Sequence, residues 1–555
     1  MILSSKYTRF SIKTPLIWAV IILLCVFIYY PLHSAGFLNF DDNWAIFNNP
    51  YVQSLNVLNN FRYIYYFDYT PVTTFYFSLV NQLFGMNPFY YHFFNLLLHL
   101  LNGILIFKLG RTIFKFDLLA AYFFATIFLI HPMQVESVAW LTEAKNVLSV
   151  FFLLLSWLAF DRFKSLDPQQ YIFYVASLCL FFLSLGAKTI SVTFPLLLII
   201  YYTLQHRSNF SKNLIFQTVP FFGLSLLFSL LRIFANSDKM EFFNSELGLV
   251  LLVKNTFIKY LFYFSRSIFP HHLSGYYESG IFQLFWYEYA IVSVFLLLTF
   301  LVYKRSQNLS EKQHLLYFFV FTIIALLPVL KIVPFPIDFM VADRYMYFPS
   351  IGLYALFAVL LAKLFTIRKL KVFAVFYVML LTLHLSVLAR NRVFVWHNDY
   401  NLWTDVLQKY PNTKKGLHNL SVQLILKHKY SAALALQTKL LELEPRNVKN
   451  RLNMIAPHFY SGEMEEVIQK IEALEKEVPE HMTIAQILAI IYYQQKEYQK
   501  AVKKMKLVLK FDPTHILTHK LLININQQLK DRDIYDYQKN LIEEFQVPID
   551  LPETF

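Results

Sequence analysis

Five hundred and fifty-five residues, 57% hydrophobic and only 15% charged, exclude a string of ordinary soluble domains, in which about a quarter of residues are charged. The 58 Phe and 37 Tyr exclude a disordered chain, and two Cys exclude a disulfide scaffold; Cys25 and Cys179 lie in apolar runs and read as small buried hydrophobes. The formal charge of +14 lies mostly among apolar segments, since residues 401–555 hold 21 basic against 19 acidic side chains, so it sets membrane orientation and implies no nucleic acid.

The first apolar run, Pro15 to Leu32, follows Lys6, Arg9 and Lys13 and reads as a retained span with a cytoplasmic N-terminus. Further runs lie at 89–110, 117–131, 146–163, 171–186, 190–205, 214–234, 286–303, 314–333, 348–366 and 371–390, which makes eleven expected spans. The loops this places in the cytoplasm, together with the N-terminus, hold 17 of the 29 basic residues before position 401 but four of the 17 acids there. Residues 247–270 are apolar but interrupted by Lys254, Lys259 and Arg266, and read as an interfacial amphipathic segment. An odd number of spans sends the C-terminus to the non-cytoplasmic side.

Past residue 400 the apolar pattern becomes helical. Pro445, Pro479 and Pro513 recur every 34 residues, and Pro548 follows 35 later. Ala433, Val467 and Ala501 stand twelve residues before the first three of these prolines. That period is the tetratricopeptide signature, giving about four degenerate repeats in a solenoid over 398–555, after a membrane domain over 1–397. Such an array offers a concave surface to partner proteins, or braces the fold.

Chemistry is expected where charges stand at span ends on the non-cytoplasmic face. These are Asp41 and Asp42 after the first span; His131, Glu136, Glu143 and Lys145 between the third and fourth; Lys188 between two apolar runs; and Asp343-Arg344-Tyr345 before the tenth. Each has a bland alternative. The acid pair caps a short helix, Lys188 snorkels to headgroups, His131 before Pro132 ends a span, and Arg344 pairs with Asp343. Glu136, Trp140 and Glu143 share a helical face by spacing, which suits a solvated surface as well as an acceptor site. Nucleotide cradles, dinucleotide fingerprints and Cys-x-x-Cys pairs are missing from the sequence. A carboxylate pair and cations on one face suit transfer from a membrane-borne phosphate donor.

Four stretches carry a resemblance: Phe40-Asp41-Asp42 through Asn48-Asn49-Pro50; Tyr91-His92-Phe93-Phe94-Asn95 on to Leu98-His99-Leu100-Leu101-Asn102; His131-Pro132 through Glu136-Ser137-Val138-Ala139; and Ala342-Asp343-Arg344-Tyr345 on to Gly352. With the C-terminal repeats they resemble the GT-C superfamily of lipid-dependent glycosyltransferases, and within it the transmembrane, tetratricopeptide-repeat O-mannosyltransferases and their bacterial relatives. The repeat array is shorter than in animal members. The resemblance implies an all-α polytopic fold and an inverting transfer of one sugar from a polyprenyl-phosphate carrier to a hydroxyl of a protein or glycan. It implies Asp41 as general base with Asp42 beside it. It further implies Lys188 and Arg344 on the donor phosphate, and His131, Glu136 and Tyr345 in the acceptor or site wall. The sequence groups too few ligands to assign a metal, so a divalent cation stays an option near Asp41 and Asp42. The expected partners are the lipid-linked sugar, the acceptor and the bilayer, in a bacterial inner membrane with periplasmic repeats. The competing class is a non-catalytic, membrane-anchored repeat scaffold.

Overall fold

The computed structural model describes residues 13–62, 64, 69–165, 171–205, 212–235, 249–280, 284–330 and 339–549. Lys6 and Arg9 lie outside them. The described residues form helices and no strand, with one isolated bridge between Glu278 and Phe339. The chain divides into two compact units, Met1–Pro411 and Asn412–Phe555.

In the first unit the described residues of all eleven expected runs are helical for most of their length. Among the described residues seven helices are long and apolar enough to cross a membrane: Thr14–Ser34, Pro88–Thr112, Leu141–Ser165, Asn213–Ala235, Trp286–Arg305, Leu309–Val329 and Arg368–Val395. An eighth span forms if Leu118–Ile130 and Pro132–Ala139 are taken together across their 52° bend, which falls where Pro132 removes a backbone donor. Tyr171–Ala187, Thr189–Gln205 and Ser350–Thr366 are apolar but shorter. The shortening has a cause in each case, because polar corners at Lys188 and at Asp343–Met346 are folded into the unit beside these helices.

Burial orders the bundle. The apolar window of Leu141–Ser165 is 61% buried, whereas those of Trp286–Arg305 and Arg368–Val395 are 22% buried and turn apolar faces outward. The central helix grips its successor through hydroxyls: Ser149 meets Ser184 at 3.1 Å and Ser156 meets Ser177 at 3.0 Å. In an apolar medium such small polar residues both shorten the interhelix distance and satisfy each other. Two glycines permit close crossings. A Cβ at Gly352 would stand 2.7 Å from the Phe318 carbonyl oxygen, and one at Gly103 2.5 Å from a Leu129 methyl. The basic segment near 250 is a helix, Leu249–Ile268, that lies outside the seven. Its last turns are buried in the unit, where Arg266 pairs with Glu288 at 3.2 Å. Burial of a cation at that end is not the geometry of a purely interfacial helix.

The second unit contains four helix–turn–helix pairs, from Lys414–Leu426 with Tyr430–Leu443 to Ile516–Leu529 with Arg532–Phe545. The second pair opens with a helix broken at Met454, Val448–Asn453 then Ile455–Ser461. Ala433, Val467 and Ala501 are buried, as their repeat positions predict. The turns repeat too. His428, Gly462, Lys496 and Lys530 all have positive φ, at 58°, 87°, 62° and 54°, and they stand 34 residues apart. Only one of these corners is a glycine, the residue that adopts it without strain.

Candidate active site

The segment His131–Asn146 is the centre of the first unit, and it is a run of short turns with no single helix. Pro132–Gln134 and Leu141–Glu143 are 3₁₀ turns, Val135–Ala139 is one short α-helix, and Trp140 between them is extended. Gln134, Glu136, Ser137, Thr142, Glu143 and Asn146 on this segment are all buried. The spacing that put Glu136, Trp140 and Glu143 on one helical face therefore does not hold, because the chain breaks at Trp140. The two carboxylates instead meet at one guanidinium from separate turns.

Arg344 Nη1 donates to Glu136 at 2.5 Å, its Nε lies 3.3 Å from Glu143, and its backbone N–H donates to the other Glu136 oxygen at 3.0 Å. Lys188 Nζ donates to Glu143 at 2.6 Å, Lys145 stands 3.7 Å from it, and the Asn146 amide donates to it at 2.7 Å. Arg344 also lies over the rings of Phe339, Tyr345 and Trp140, at 4.9 to 5.1 Å. Lys188 lies 5.7 Å from the Tyr345 ring. Among the described residues Lys145, Lys188 and Arg344 converge on Glu136 and Glu143, so buried charges meet partners in a place where an unbalanced one is costly. Glu136 drives the Arg344 guanidinium to hold its proton more firmly still, against the opposing effect of burial.

The acid pair divides its labour. Asp42 is fully buried; one of its oxygens accepts from Leu38 N–H at 2.9 Å, the other from the Thr142 N–H at 3.0 Å and the Thr142 hydroxyl at 2.5 Å. It staples the loop after the first long helix to the residue before Glu143. Burial pushes its carboxyl up to about 6, against the lowering effect of those three hydrogen bonds. Asp41 is half-buried, and its carboxylate accepts from the Trp44 indole at 3.2 Å. Phe40 stacks on Trp140 at 4.8 Å, and Trp140 stacks on Trp396 at 5.4 Å, which fixes the loop from the other side. A recess opens beside Trp44 and Thr142 and is lined by Asn60, Thr73 and Lys145 among others.

The structure joins Glu136, Lys188, Arg344 and Tyr345 in one cluster, with Asp42 bound to Thr142 beside Glu143, while the Asp41 side chain contacts Trp44. His131 stands apart in its contacts: its ring accepts from Met133 N–H at 3.2 Å and lies 5.0 Å from the Tyr354 ring. The bland alternatives fail for Lys188 and Arg344. Lys188 is buried and paired with Glu143, and Arg344 pairs with two glutamates while Asp343 turns elsewhere. Asp343 accepts from the Tyr277 hydroxyl at 2.7 Å and stands 3.6 Å from Arg392, which in turn holds Asp405 at 2.9 Å. Sequence reasoning noted Glu143 without giving it a role, and did not single out Asn146 or Arg392; an acid beside a lysine at the start of an apolar span was the available signal. Among the described residues, one group has the spacing to hold a metal ion, His458 with Glu463 and Glu466, and it belongs to the second unit.

No protein-family model matches the chain. Over 140 residues, 23% of its length, it is 36% identical to the human protein O-mannosyl-transferase TMTC1. Over 412 residues, 69% of its length, it is 24% identical to protein O-mannosyl-transferase F38B6.6 of Caenorhabditis elegans. The chain is similar to protein O-mannosyl-transferases. It spans 16% of the human relative's length and 56% of the nematode relative's. A crystal structure of ArnT from Cupriavidus metallidurans bound to undecaprenyl phosphate aligns with 86% of this chain and 80% of its own, at 14% identity and a TM-score of 0.39.

Proposed function

We propose that the protein is a membrane glycosyltransferase of GT-C type, moving a sugar from a polyprenyl-phosphate donor to a hydroxyl of a protein or glycan. The observation that carries this reading is the cluster in which Lys188 and Arg344 converge on Glu143, with Asp42 holding the loop that carries the half-buried Asp41 against the neighbouring Thr142. The names of the sequence relatives point the same way.

In this mechanism Asp41 takes the proton of the acceptor hydroxyl. The oxygen attacks the anomeric carbon from the face opposite the phosphate, which inverts that centre. The bond between that carbon and the phosphate oxygen breaks, and the electron pair leaves with the phosphate. Arg344 and Lys188 stabilise the second negative charge that then develops, exchanging part of their contact with Glu136 and Glu143 for phosphate oxygens. Both cations are preorganised by burial, so little reorganisation accompanies the step. Asp42 keeps the loop that carries Asp41 against Thr142. Tyr345, between the two cations, shields them from water, and His131 supports the wall at the bend before Pro132. The positive-inside pattern supports chemistry on the non-cytoplasmic face, of a bacterial inner membrane on the residue composition or of the endoplasmic reticulum in a eukaryotic cell. The helix pairs of the second unit are a tetratricopeptide-type solenoid that holds the acceptor there.

Asp41→Asn tests the reading. Expression should be normal while glycan transfer falls at least 100-fold, the usual weight of a general base. Full transfer by this variant would remove Asp41 as the base and leave the deprotonation to another group.

A further inference from the structure

The four corners of the second unit can be compared with one another, because equivalent residues stand 34 apart. Four places before the corner stand Leu424, His458, Tyr492 and Asn526; one place after it, Lys429, Glu463, Glu497 and Asp531; four places after it, Ala432, Glu466, Lys500 and Ile534. The second corner alone puts an imidazole and two carboxylates at these positions. His458 Nδ1 lies 2.5 Å from Glu463 Oε2 and 3.6 Å from Glu466 Oε2, and the three ligand atoms fall within 4.8 Å of one another. At the third corner Lys500 stands 2.7 Å from Glu497 and balances its charge. The second corner has another acid in place of that lysine. Acids three residues apart on a helix repel each other. The dipole of Met464–Glu477 favours acids in its first turn, but it gives no reason for two of them to converge on one ring. Lys470 stands 3.2 Å from the Oε1 atom of Glu466, which leaves Oε2 to the histidine. The His458 ring is buried and both carboxylates are exposed, so the corner is open to a small ion.

We propose that His458, Glu463 and Glu466 bind a divalent transition-metal ion, Zn²⁺ by preference, with water completing its coordination. The inference is independent of the glycosyltransferase reading. Zinc holds imidazole nitrogen and carboxylate oxygen at about 2.0–2.2 Å in a tetrahedron, whose edges are then about 3.4 Å. The gap from His458 to Glu466 is already close to such an edge. The gap to Glu463 needs that exposed side chain to withdraw by about 1 Å. The ion takes the place of the proton shared between Nδ1 and Glu463, and that proton passes to solvent. A nitrogen ligand selects against Mg²⁺ and Ca²⁺, which favour sets made of oxygen alone. The ion has a mechanical use at this corner. The first helix of the second pair is broken at Met454, and His458 lies on its short second piece, just after Pro457. Both acids belong to the start of the following helix, so the metal ties that short piece to its partner across Gly462.

The test uses the full chain in detergent, purified on a tag without histidine, stripped with a chelator and titrated calorimetrically with Zn²⁺ and, separately, with Ca²⁺. His458→Ala and Glu466→Gln should each lose one equivalent of Zn²⁺ relative to the wild type, or bind that equivalent at least about tenfold more weakly. Glu465→Gln, which changes the exposed acid next door, should keep it. Zn²⁺ should raise the melting temperature of the wild type and of Glu465→Gln, and leave that of the other two variants where it was. Glu466→Gln alters only an exposed carboxylate, so its result stands even if His458→Ala does not fold. The same zinc stoichiometry and affinity in the wild type and Glu466→Gln overturns the site. So does an equal loss in Glu465→Gln, which would mark a diffuse attraction to acids. Binding of Ca²⁺ as tight as that of Zn²⁺ overturns the assignment of a transition metal held through the imidazole.

Discussion

Asp42 is the residue whose burial makes the sharpest prediction. Its carboxyl is raised from an ordinary 3.8 to about 6, first by burial and in smaller part by the neighbouring Asp41 charge. Between those values the folded chain binds a proton that the unfolded chain has released, so stability must fall as pH rises through the window. The full effect is about 3 kcal/mol at neutral pH. Thermal melts between pH 4 and 7 should show that decline, and Asp42→Asn should flatten it, because no proton is then exchanged. The asparagine variant still offers one acceptor to Thr142 but turns a donor toward Leu38 N–H, so it should not exceed the wild type at the acid end. A wild-type melting curve that rises across the window would contradict this account.

At the scale of elements, helix crossings are set by residues that lack side chains. Ala at position 352 would bring its Cβ to 2.7 Å from both a backbone carbonyl and the Thr322 hydroxyl, neither of which is a free end that can swing away. Gly352→Ala should therefore cost about 1–3 kcal/mol, seen as a lower melting temperature and loss of the Ser350–Thr366 packing against Leu309–Leu326. Intact stability would mean that the two helices slide apart more freely than close packing allows. Most spanning helices were legible from the sequence because a long apolar run has few alternatives in a membrane. The turns of His131–Asn146 were not, since their breaks at Pro132 and Trp140 sit inside a stretch whose spacing fits a continuous helix. What bends them is tertiary: Arg344, about two hundred residues on, draws Glu136 and Glu143 together, and no local pattern records that pairing. The acid pair was visible, but its division into a staple and an available carboxylate depends on Thr142, which carries no signal of its own.

The two units of the molecule invite separate tests. The corner at Lys496 holds an ordinary residue in a left-handed conformation, so Lys496→Gly should relieve strain worth about 1 kcal/mol, offset in part by the added freedom of the unfolded chain. A net gain of a few tenths to 1 kcal/mol is expected in denaturant melts of the full protein; a loss would mean that the lysine side chain contributes more than its backbone costs. If the helix pairs recruit acceptor, a chain ending at Pro411 should transfer sugar to a minimal acceptor normally and to a full-length protein more slowly, about tenfold or more, through the lost effective concentration. Equal slowing with both acceptors would make the second unit a brace.

Asp343 and Arg344 are neighbours in the chain, yet they face different ionic networks, one reaching Arg392 near the end of the last long helix and the other reaching Glu136 and Glu143. A pair of adjacent residues held at both ends behaves as a lever with a peptide bond for its fulcrum. A shift of the Lys371–Val395 helix along its own axis would therefore be felt at Asp343 and, one peptide bond on, at the guanidinium held by Glu136 and Glu143.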